Sequence, residues 1–366
     1  RKKFAIDHRD IAVVLSGIAQ IHQDRKEFDK ALQLYEESLQ VGKAALGENH
    51  SEVAMLLNRI GNFHFERENL DAALIAYQHG LRIEQKVLEP THPNIVVTLS
   101  NLGEIYRQRR DFGSAVRLYS NALDLQIKRC GRDHHEVATT LNAIGLIYDQ
   151  KGDVNNALKR LSEALAVRRS VLGHDHLDVS ATLTYLGTIM YRKNMISNAM
   201  KLFNESLDIR RGKLGNDHRD VAFTMYNIGL CHHLLGSHRA AIRCYLETLR
   251  VERLVLGEAH KDVSMTLFKL GEAYKAEGDL DRALLRFEEA LQIERRSGRE
   301  DPATVARTLT EIGNIHLAYG QIGPMMDALN EAARISRTAG LSVGNVSVSQ
   351  QLYGIEVSCP NTAPAA

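Results

Sequence analysis

The chain has 366 residues and nearly balanced charge, with 46 basic and 45 acidic side chains. This balance excludes a global field that would favour nucleic acid or an anionic membrane as a partner, and no apolar run approaches the roughly 20 residues of a membrane span. Its four cysteines show no paired spacing, which indicates a reducing compartment, so we expect a cytoplasmic protein.

A period of 42 residues organises the chain from about residue 7 to about residue 340. Histidine returns at this interval, at His8, His50, His92, His134, His176, His218 and His260, with Pro302 in the eighth place. A small residue follows each of these positions eleven residues later: Ala19, Gly61, Gly103, Gly145, Gly187, Gly229, Gly271 and Gly313. We call such a set of equivalent positions a column. A fixed period of this size predicts a solenoid of eight repeated units.

Each repeat is predicted to begin with a helix cap. The stretch DHRD at residues 217–220, which also occurs at 7–10, shows the pattern: an acid or amide usually precedes the histidine, and an acid usually stands three positions after that residue. We interpret this as a capping box with the residue before the histidine as the N-cap. The triplets HRD and DFG also occur in protein kinases, but the kinase glycine-rich loop and catalytic-loop asparagine are missing, so we reject that interpretation.

Two helices follow in each repeat. In the fourth repeat Val137, Leu141 and Ile144 have helical spacing, and the residues 151–153 interrupt the pattern before a second stripe at 157–165. The second helices share an alanine column, followed four residues later by a large apolar residue: Tyr35, Tyr77, Tyr119, Leu161, Phe203, Tyr245 and Phe287. We expect the small residue of the first helix to let the backbones approach, with this large side chain filling the joint.

Turns and helix ends complete the unit. We expect Asp111 to cap a second helix together with its column partners Asn69, Asp153, Ser237 and Asp279. No proline stops the second helix, so it is predicted to run on towards Leu46-Gly47 and the equivalent pairs. The eighth repeat looks irregular, because residues 323–326 replace the usual helix start.

These columns resemble the tetratricopeptide repeat (TPR), whose usual unit is about 34 residues. The longer unit, with leucine-glycine before the histidine and Val-Ala and Thr-Leu after it, is similar to the repeats of kinesin light chains, as in VLGHDHLDVSATLTYLG at 171–187. The resemblance implies an all-α fold, a right-handed α-solenoid (superhelix) of eight helix pairs. We expect an N-terminal end at 1–6, the repeats at 7–340 and a flexible tail at 341–366.

No catalytic, cofactor or metal site is expected. Searches for metalloprotease, hydrolase and phosphate-loop motifs find nothing, and the repeat columns account for most histidines. The residues Cys231, His232, His233, His238 and Cys244 form the best metal candidate, but Cys231 falls in an apolar column and is interpreted as a core residue.

The resemblance implies that the first helices line an inner face that binds an extended peptide, so we predict a protein-interaction scaffold. Kinesin light chains recognise a tryptophan flanked by acids, which implies an aromatic-acidic peptide and a role as cargo adaptor; the kinesin heavy chain is expected to bind only through sequence missing here. The alternative is the ligand-sensing array of a larger signalling NTPase or protease. The predicted peptide-binding residues are Asn58, Arg59, Asn62, Asn101, Arg107, Asn142, Tyr185, Tyr191, Arg192, Tyr226, Asn227, Phe268, Lys269 and Lys275.

Overall fold

The computed structural model describes residues 8–296 and 301–340. Within these ranges it contains sixteen α-helices and no strand. The helices are α1 His8–Asp24, α2 Phe28–Leu46, α3 Ser51–Glu66, α4 Leu70–Val87, α5 Pro93–Gln108, α6 Phe112–Cys130, α7 His135–Lys151, α8 Val154–Leu172, α9 Leu177–Arg192, α10 Ile196–Leu214, α11 Arg219–Leu234, α12 His238–Leu256, α13 Lys261–Glu277, α14 Leu280–Arg296, α15 Pro302–Ala318 and α16 Ile322–Thr338. The predicted ends at 1–6 and 341–366 lie outside the described residues.

The helices form eight pairs, one for each repeat, with odd-numbered first helices and even-numbered second helices. The all-α class and the eight pairs are therefore confirmed. The eighth pair is regular, because α16 begins at Ile322 and accommodates Pro324 in its first turn. The chain divides into two compact units; the first ends at Ile189 and the second begins at Met190.

The predicted joint is confirmed in the pairs for which the structure describes this contact. A Cβ atom on Gly61 would lie 2.6 Å from the Tyr77 ring, and one on Gly271 would lie 2.8 Å from the Phe287 ring. The same close contact joins Gly145 to a leucine, Leu161. Because these separations leave no room for a side chain, glycine at this column sets how closely the two helices of a pair approach.

The second helices run on as expected and end at a glycine. The amide of Gly215 donates to the carbonyl oxygen of Arg211, and Gly215 has a φ of 79°, which favours glycine. Five of the second helices have 19 residues and reach the leucine or cysteine before such a glycine, namely α2, α6, α8, α10 and α12.

The predicted N-cap of the first helices was wrong by one residue. His218 itself is the cap: its Nδ1 accepts the amide of Asp220 at 3.1 Å. The same bond recurs at His50, His92, His134, His176 and His260, at 3.1 to 3.3 Å. A neutral imidazole offers an acceptor nitrogen, so histidine performs here what Asp or Asn performs at other helix starts. In the eighth repeat Pro302 occupies the histidine column, and Asp301 is the cap, as predicted.

Four of the five predicted caps of the second helices are confirmed. The Asp111 carboxylate accepts the amide of Ser114 at 3.0 Å, and Asn69, Asp153 and Asp279 make the equivalent bond. Ser237 makes no side-chain cap bond. The DFG triplet is therefore a helix start.

Candidate functional site

Two of the predicted peptide-binding asparagines lie in joints. Asn58 donates from Nδ2 to Glu84 Oε1 and to Thr98 Oγ1, both at 2.8 Å, and Asn142 is buried and accepts from Thr182 Oγ1 at 3.3 Å. The reason is that the column three residues before the small residue faces the second helix of its own pair: a Cβ on Gly80 would lie 2.5 Å from Asn58 Oδ1. Their amides hold the repeats together and are not open to a peptide.

The other predicted polar residues of the first unit connect successive first helices. Arg59 donates to Ser16 Oγ at 2.7 Å, and Asn101 approaches Asn62 at 3.5 Å. Asn62 also accepts the Tyr77 hydroxyl at 2.5 Å. Arg107 pairs with Glu104 and donates to Gln150 at 3.1 Å. This network follows the face that we predicted to be the inner one, and its role in binding stays a prediction.

In the second unit, Phe268 lies in the core and not on a surface. Its side chain is 1% exposed, its ring lies 5.2 Å from that of Phe287, and the Arg307 guanidinium covers it at 4.1 Å. The expectation that Phe268 lines an open trough was therefore wrong, because its column packs on the second helix of the pair. Tyr226 of the same column is half-buried, 5.8 Å from the Tyr245 ring, and burial raises the pKa of its hydroxyl.

Apolar side chains are nevertheless exposed on two successive first helices of this unit. Phe223 and Leu234 on α11 are 51% and 54% exposed, and Met265 on α13 is 46% exposed. Phe223 and Met265 share the column six residues before the small residue. Met265 was not among the predicted binding residues; Val97, in the same column of the first unit, is also exposed.

The charged residues predicted beside these side chains have partners on the protein. Lys269 pairs with Glu272 and Lys275 pairs with Glu311, each at 2.6 Å. Asn227 donates to the carbonyl oxygen of Phe223 at 2.8 Å. Tyr185 and Arg192 are exposed, and Tyr191 is half-buried against the core of the second unit.

A column of buried polar residues, which the sequence analysis did not single out, lies where each second helix meets the next repeat. Its members are Gly42, Glu84, Gln126, Arg168, Arg210, Glu252, Glu294 and Ser336. Fourteen residues after each of the six long members stands a buried threonine of the next first helix. Arg168 donates to Thr182 Oγ1 at 2.6 Å, and Arg210 donates to Thr224 Oγ1 at 2.7 Å. We call each such contact a repeat joint.

Burial changes the acidity of the repeat joints. It raises the pKa of Glu252 to about 7. Burial also raises the pKa of Glu84 and of Glu294, whereas it lowers the pKa of Arg168. The Arg168 guanidinium is compensated by the main-chain carbonyl oxygen of Asp178 at 2.9 Å. These groups are buried between neighbouring repeats, where Glu84 Oε2, Arg168 Nε and Glu252 Oε2 have no hydrogen-bond partner within the described residues.

One group of potential metal ligands occurs within the described ranges: His134, His135 and Glu136, with ligand atoms within 4.8 Å of one another. Glu136 pairs with Arg129, and His134 Nδ1 already accepts the Glu136 amide. The group also stands at the positive end of α7, which disfavours a cation. Cys231 is fully buried, and burial raises the pKa of its thiol to about 11, as expected for a core residue.

Comparison with known proteins identifies the repeat. The family model described as Tetratricopeptide repeat matches overlapping segments at residues 10–83, 52–128, 95–166, 136–212, 198–253 and 220–296. No match was found among curated proteins. None of the described helices is both long and apolar enough to cross a bilayer.

Solved structures share the fold at low sequence identity. BtubC (BKLC) from P. vanneervenii is 20% identical over 71% of this chain and 97% of its own, with a TM-score of 0.56. Nearly identical TPR-like repeats attributed to a kinesin light chain of Podospora anserina are 17% identical over 57% of this chain and 98% of theirs, with a TM-score of 0.50. A signal transduction ATPase with numerous domains from Pyrococcus horikoshii, which has a TPR sensor, is 11% identical; the match covers 90% of this chain and 48% of that one, with a TM-score of 0.64.

Proposed function

Because the chain belongs to the tetratricopeptide repeat family, with repeats of the kinesin light chain-like type, we propose that it is a protein-interaction scaffold that binds an extended peptide on the first helices of its second unit. The carrying observation is the exposure of Phe223, Leu234 and Met265 on α11 and α13. Phe223 and Met265 occupy the same column on successive first helices, and apolar side chains exposed on one face are typical of a binding site.

The chemistry of this surface favours a peptide with an apolar anchor beside an acidic residue. Phe223 and Met265 supply apolar area, and Arg307 occupies the same column in the following repeat. The Arg307 side chain is exposed, and its guanidinium lies over the Phe268 ring. Because this contact already restricts the Arg307 side chain, pairing with a peptide carboxylate costs little further conformational entropy. A peptide of this kind is what a cytoplasmic cargo adaptor of the kinesin light chain type would bind.

A library of fluorescent peptides that combine one aromatic residue with flanking acids tests the proposal. For the tightest peptide, Phe223→Ser and Arg307→Gln should each weaken the dissociation constant at least tenfold, or about 1.4 kcal/mol. Leu246→Ser is the matched control, because Leu246 is exposed to a similar degree but lies on the second helix α12. Equal weakening by the control, or no peptide bound by the full chain, contradicts the proposal.

The second candidate is a ligand-sensing array within a larger signalling enzyme, favoured by the likeness to the sensor-bearing ATPase from Pyrococcus horikoshii. The two candidates differ in what accompanies the repeats. A phosphate-binding loop encoded in the same gene supports the sensor, whereas an accompanying heptad region supports the motor adaptor.

A further inference from the structure

A cavity of about 500 Å³ opens between the first and second repeats, where α1 and α3 end. Ligand pockets in proteins have volumes of this order. Its aromatic wall is formed by Phe28, the first residue of α2, and by Phe63 of α3. Five exposed charged residues, which we call the rim, surround its opening: Asp24, Lys26, Glu66, Arg67 and Glu68.

The aromatic wall is a local departure from the repeat pattern. The column of Phe63 otherwise holds isoleucine, cysteine or alanine, so Phe28 and Phe63 make this the one pair of successive repeats with phenylalanine at both wall positions. The Phe63 ring packs on Tyr35, with ring centroids 5.9 Å apart. The Tyr35 hydroxyl donates to Gln23 Oε1 at 3.0 Å, and Gln23 Nε2 donates to Glu66 Oε2 at 2.6 Å. These contacts fix the side chains that line the cavity.

The three carboxylates of the rim form no ion pair within the described residues. Asp24 accepts the neutral amide of Gln20 at 3.0 Å, and Glu66 accepts the neutral amide of Gln23. Glu68 makes no side-chain hydrogen bond to a described residue. Since the rim holds three acids and two basic residues, it favours a cation as occupant.

The protein's own Arg67 demonstrates that the aromatic wall accepts a guanidinium. The guanidinium carbon of Arg67 lies 3.9 Å from the centre of the Phe28 ring. In the next repeat, Arg109 occupies the same column and pairs with Asp71. The acid equivalent to Asp71 is Asp29, yet Arg67 lies over the ring and forms no ion pair with Asp29. Arg67 therefore satisfies the ring and leaves the rim carboxylates unpaired.

We infer that this cavity binds an arginine side chain of a partner protein. The partner's guanidinium takes the place of Arg67 on the Phe28 ring and also donates to the rim carboxylates. A planar guanidinium can do both, because its face stacks on a ring while its edge donates hydrogen bonds. Arg67 is exposed and makes no ion pair, so its release costs little free energy. The site is independent of the proposed peptide-binding face, whose residues all belong to the second unit.

Matched peptides test the chemistry of the occupant. A capped pentapeptide with one arginine between glycines and serines, and the same peptide with neutral citrulline, are titrated with the full chain and followed by ligand-observed NMR. The arginine peptide should bind saturably and roughly tenfold or more tightly than the citrulline peptide, because only the cation pairs with the carboxylates. Equal binding of the two peptides, or no saturable binding, overturns the inference.

Two variants separate the carboxylates from the ring. Glu66→Gln removes a charge but keeps an acceptor for the neighbouring amide, and should weaken the arginine peptide roughly threefold. Leucine stands in the Phe28 column at Leu70, so Phe28→Leu suits the fold and removes only the ring; it should weaken this peptide by roughly the same factor. The control is Glu89→Gln, which removes an exposed acid of the same unit outside the cavity. Equal weakening by the control contradicts a specific site.

The displacement of Arg67 has its own test. Arg67→Gln frees the face of the Phe28 ring and makes the rim more negative, so it should tighten the binding of the arginine peptide roughly threefold. If Arg67→Gln weakens this peptide instead, a partner's guanidinium does not take the place of Arg67 and the inference is wrong.

Discussion

Gly229 lies so close to Tyr245 that a Cβ atom there would stand 2.6 Å from the Tyr245 ring. We therefore expect Gly229→Ala to lower the free energy of unfolding by about 1–3 kcal/mol, because the extra methyl forces the buried ring or the backbone to move. Chemical denaturation measures the change.

Gly212 provides the matched control. It lies inside α10, and a Cβ there would meet nothing within 4 Å. Gly212→Ala should raise the free energy of unfolding by about 0.5–1 kcal/mol through helix propensity alone. If Gly229→Ala also stabilises the protein, the contact with Tyr245 does not limit the approach of the helices.

His218 and Asp217 separate the observed cap from the predicted one. His218→Ala should destabilise the protein by about 1 kcal/mol, because the Asp220 amide loses its acceptor, and His218→Asn should retain most of the stability. Asp217→Ala should change the stability by less than about 0.5 kcal/mol, since Asp217 makes only an exposed ion pair with Arg250. If thermal melts show a larger loss of stability for Asp217→Ala than for His218→Ala, Asp217 is the N-cap, as we predicted from the sequence.

The turn between the helices of a pair is strained in half of the repeats. Glu68 and Arg110 have φ values near +60°. Gly152 and Gly278 stand at the equivalent positions of their repeats, also with positive φ, which glycine adopts without strain. Arg110→Gly should stabilise the protein by about 0.5–1 kcal/mol, as relief of left-handed strain exceeds the added entropy of the unfolded chain. The opposite change, Gly152→Arg, should cost a similar amount; a loss of stability in Arg110→Gly would show that strain is not what limits this turn.

The repeat joint at Glu252 predicts a pH dependence. Its pKa of about 7 exceeds the ordinary 4.5, so the folded state binds the proton more tightly than the unfolded state. Its contribution to stability is fully present below pH 4.5 and is lost as the pH rises through 7. Glu252→Gln keeps the side chain neutral at every pH. It should therefore remove a fall in the free energy of unfolding on the order of 1–3 kcal/mol between pH 4.5 and 8.

Glu247 on the same helix is the control for this titration. It is half-buried, and its hydrogen bond with Arg250 lowers its pKa, so Glu247→Gln leaves the fall in the free energy of unfolding above pH 4.5 in place. Urea denaturation at a series of pH values measures both variants. Identical pH profiles for Glu252→Gln and the unaltered protein would mean that this carboxyl titrates normally.

The helix pairs could be predicted from the sequence because the apolar periodicity recurs in eight repeats together with a small residue, alanine once and glycine seven times. The direction of side chains near the joints could not. Asn58 and Phe268 were assigned to an open face by counting along one helix, but their column is covered by the second helix of the pair. The repeat joints were missed because a column that holds Glu, Gln and Arg is typical of a solvated surface. Its signal was the threonine fourteen residues later.

Contacts between helices are made by neighbours in sequence. All pairs of helices in substantial contact within the described residues are consecutive along the chain. Stability in such an array is approximately a sum of repeat and neighbour contributions, and local unfolding is possible.

Gly229→Ala should therefore have a local effect. Hydrogen exchange is expected to accelerate in α11, α12 and the helices that adjoin them, while α3 and α4 keep their protection. Uniform acceleration along the chain would show that the array unfolds as one cooperative block.

The repeat joints also bear on how such a gene changes length. From Thr98 to Thr308 every first helix has a threonine at the repeat joint, so the joints differ only in the residue of the second helix. Unequal crossing-over that removes or duplicates any whole number of 42 codons within this part of the gene again places a long polar side chain beside a threonine. Recombinants inherit a compatible contact without a compensating mutation, whereas the apolar Leu56 packs against Gly42 and offers no hydroxyl to a long polar side chain.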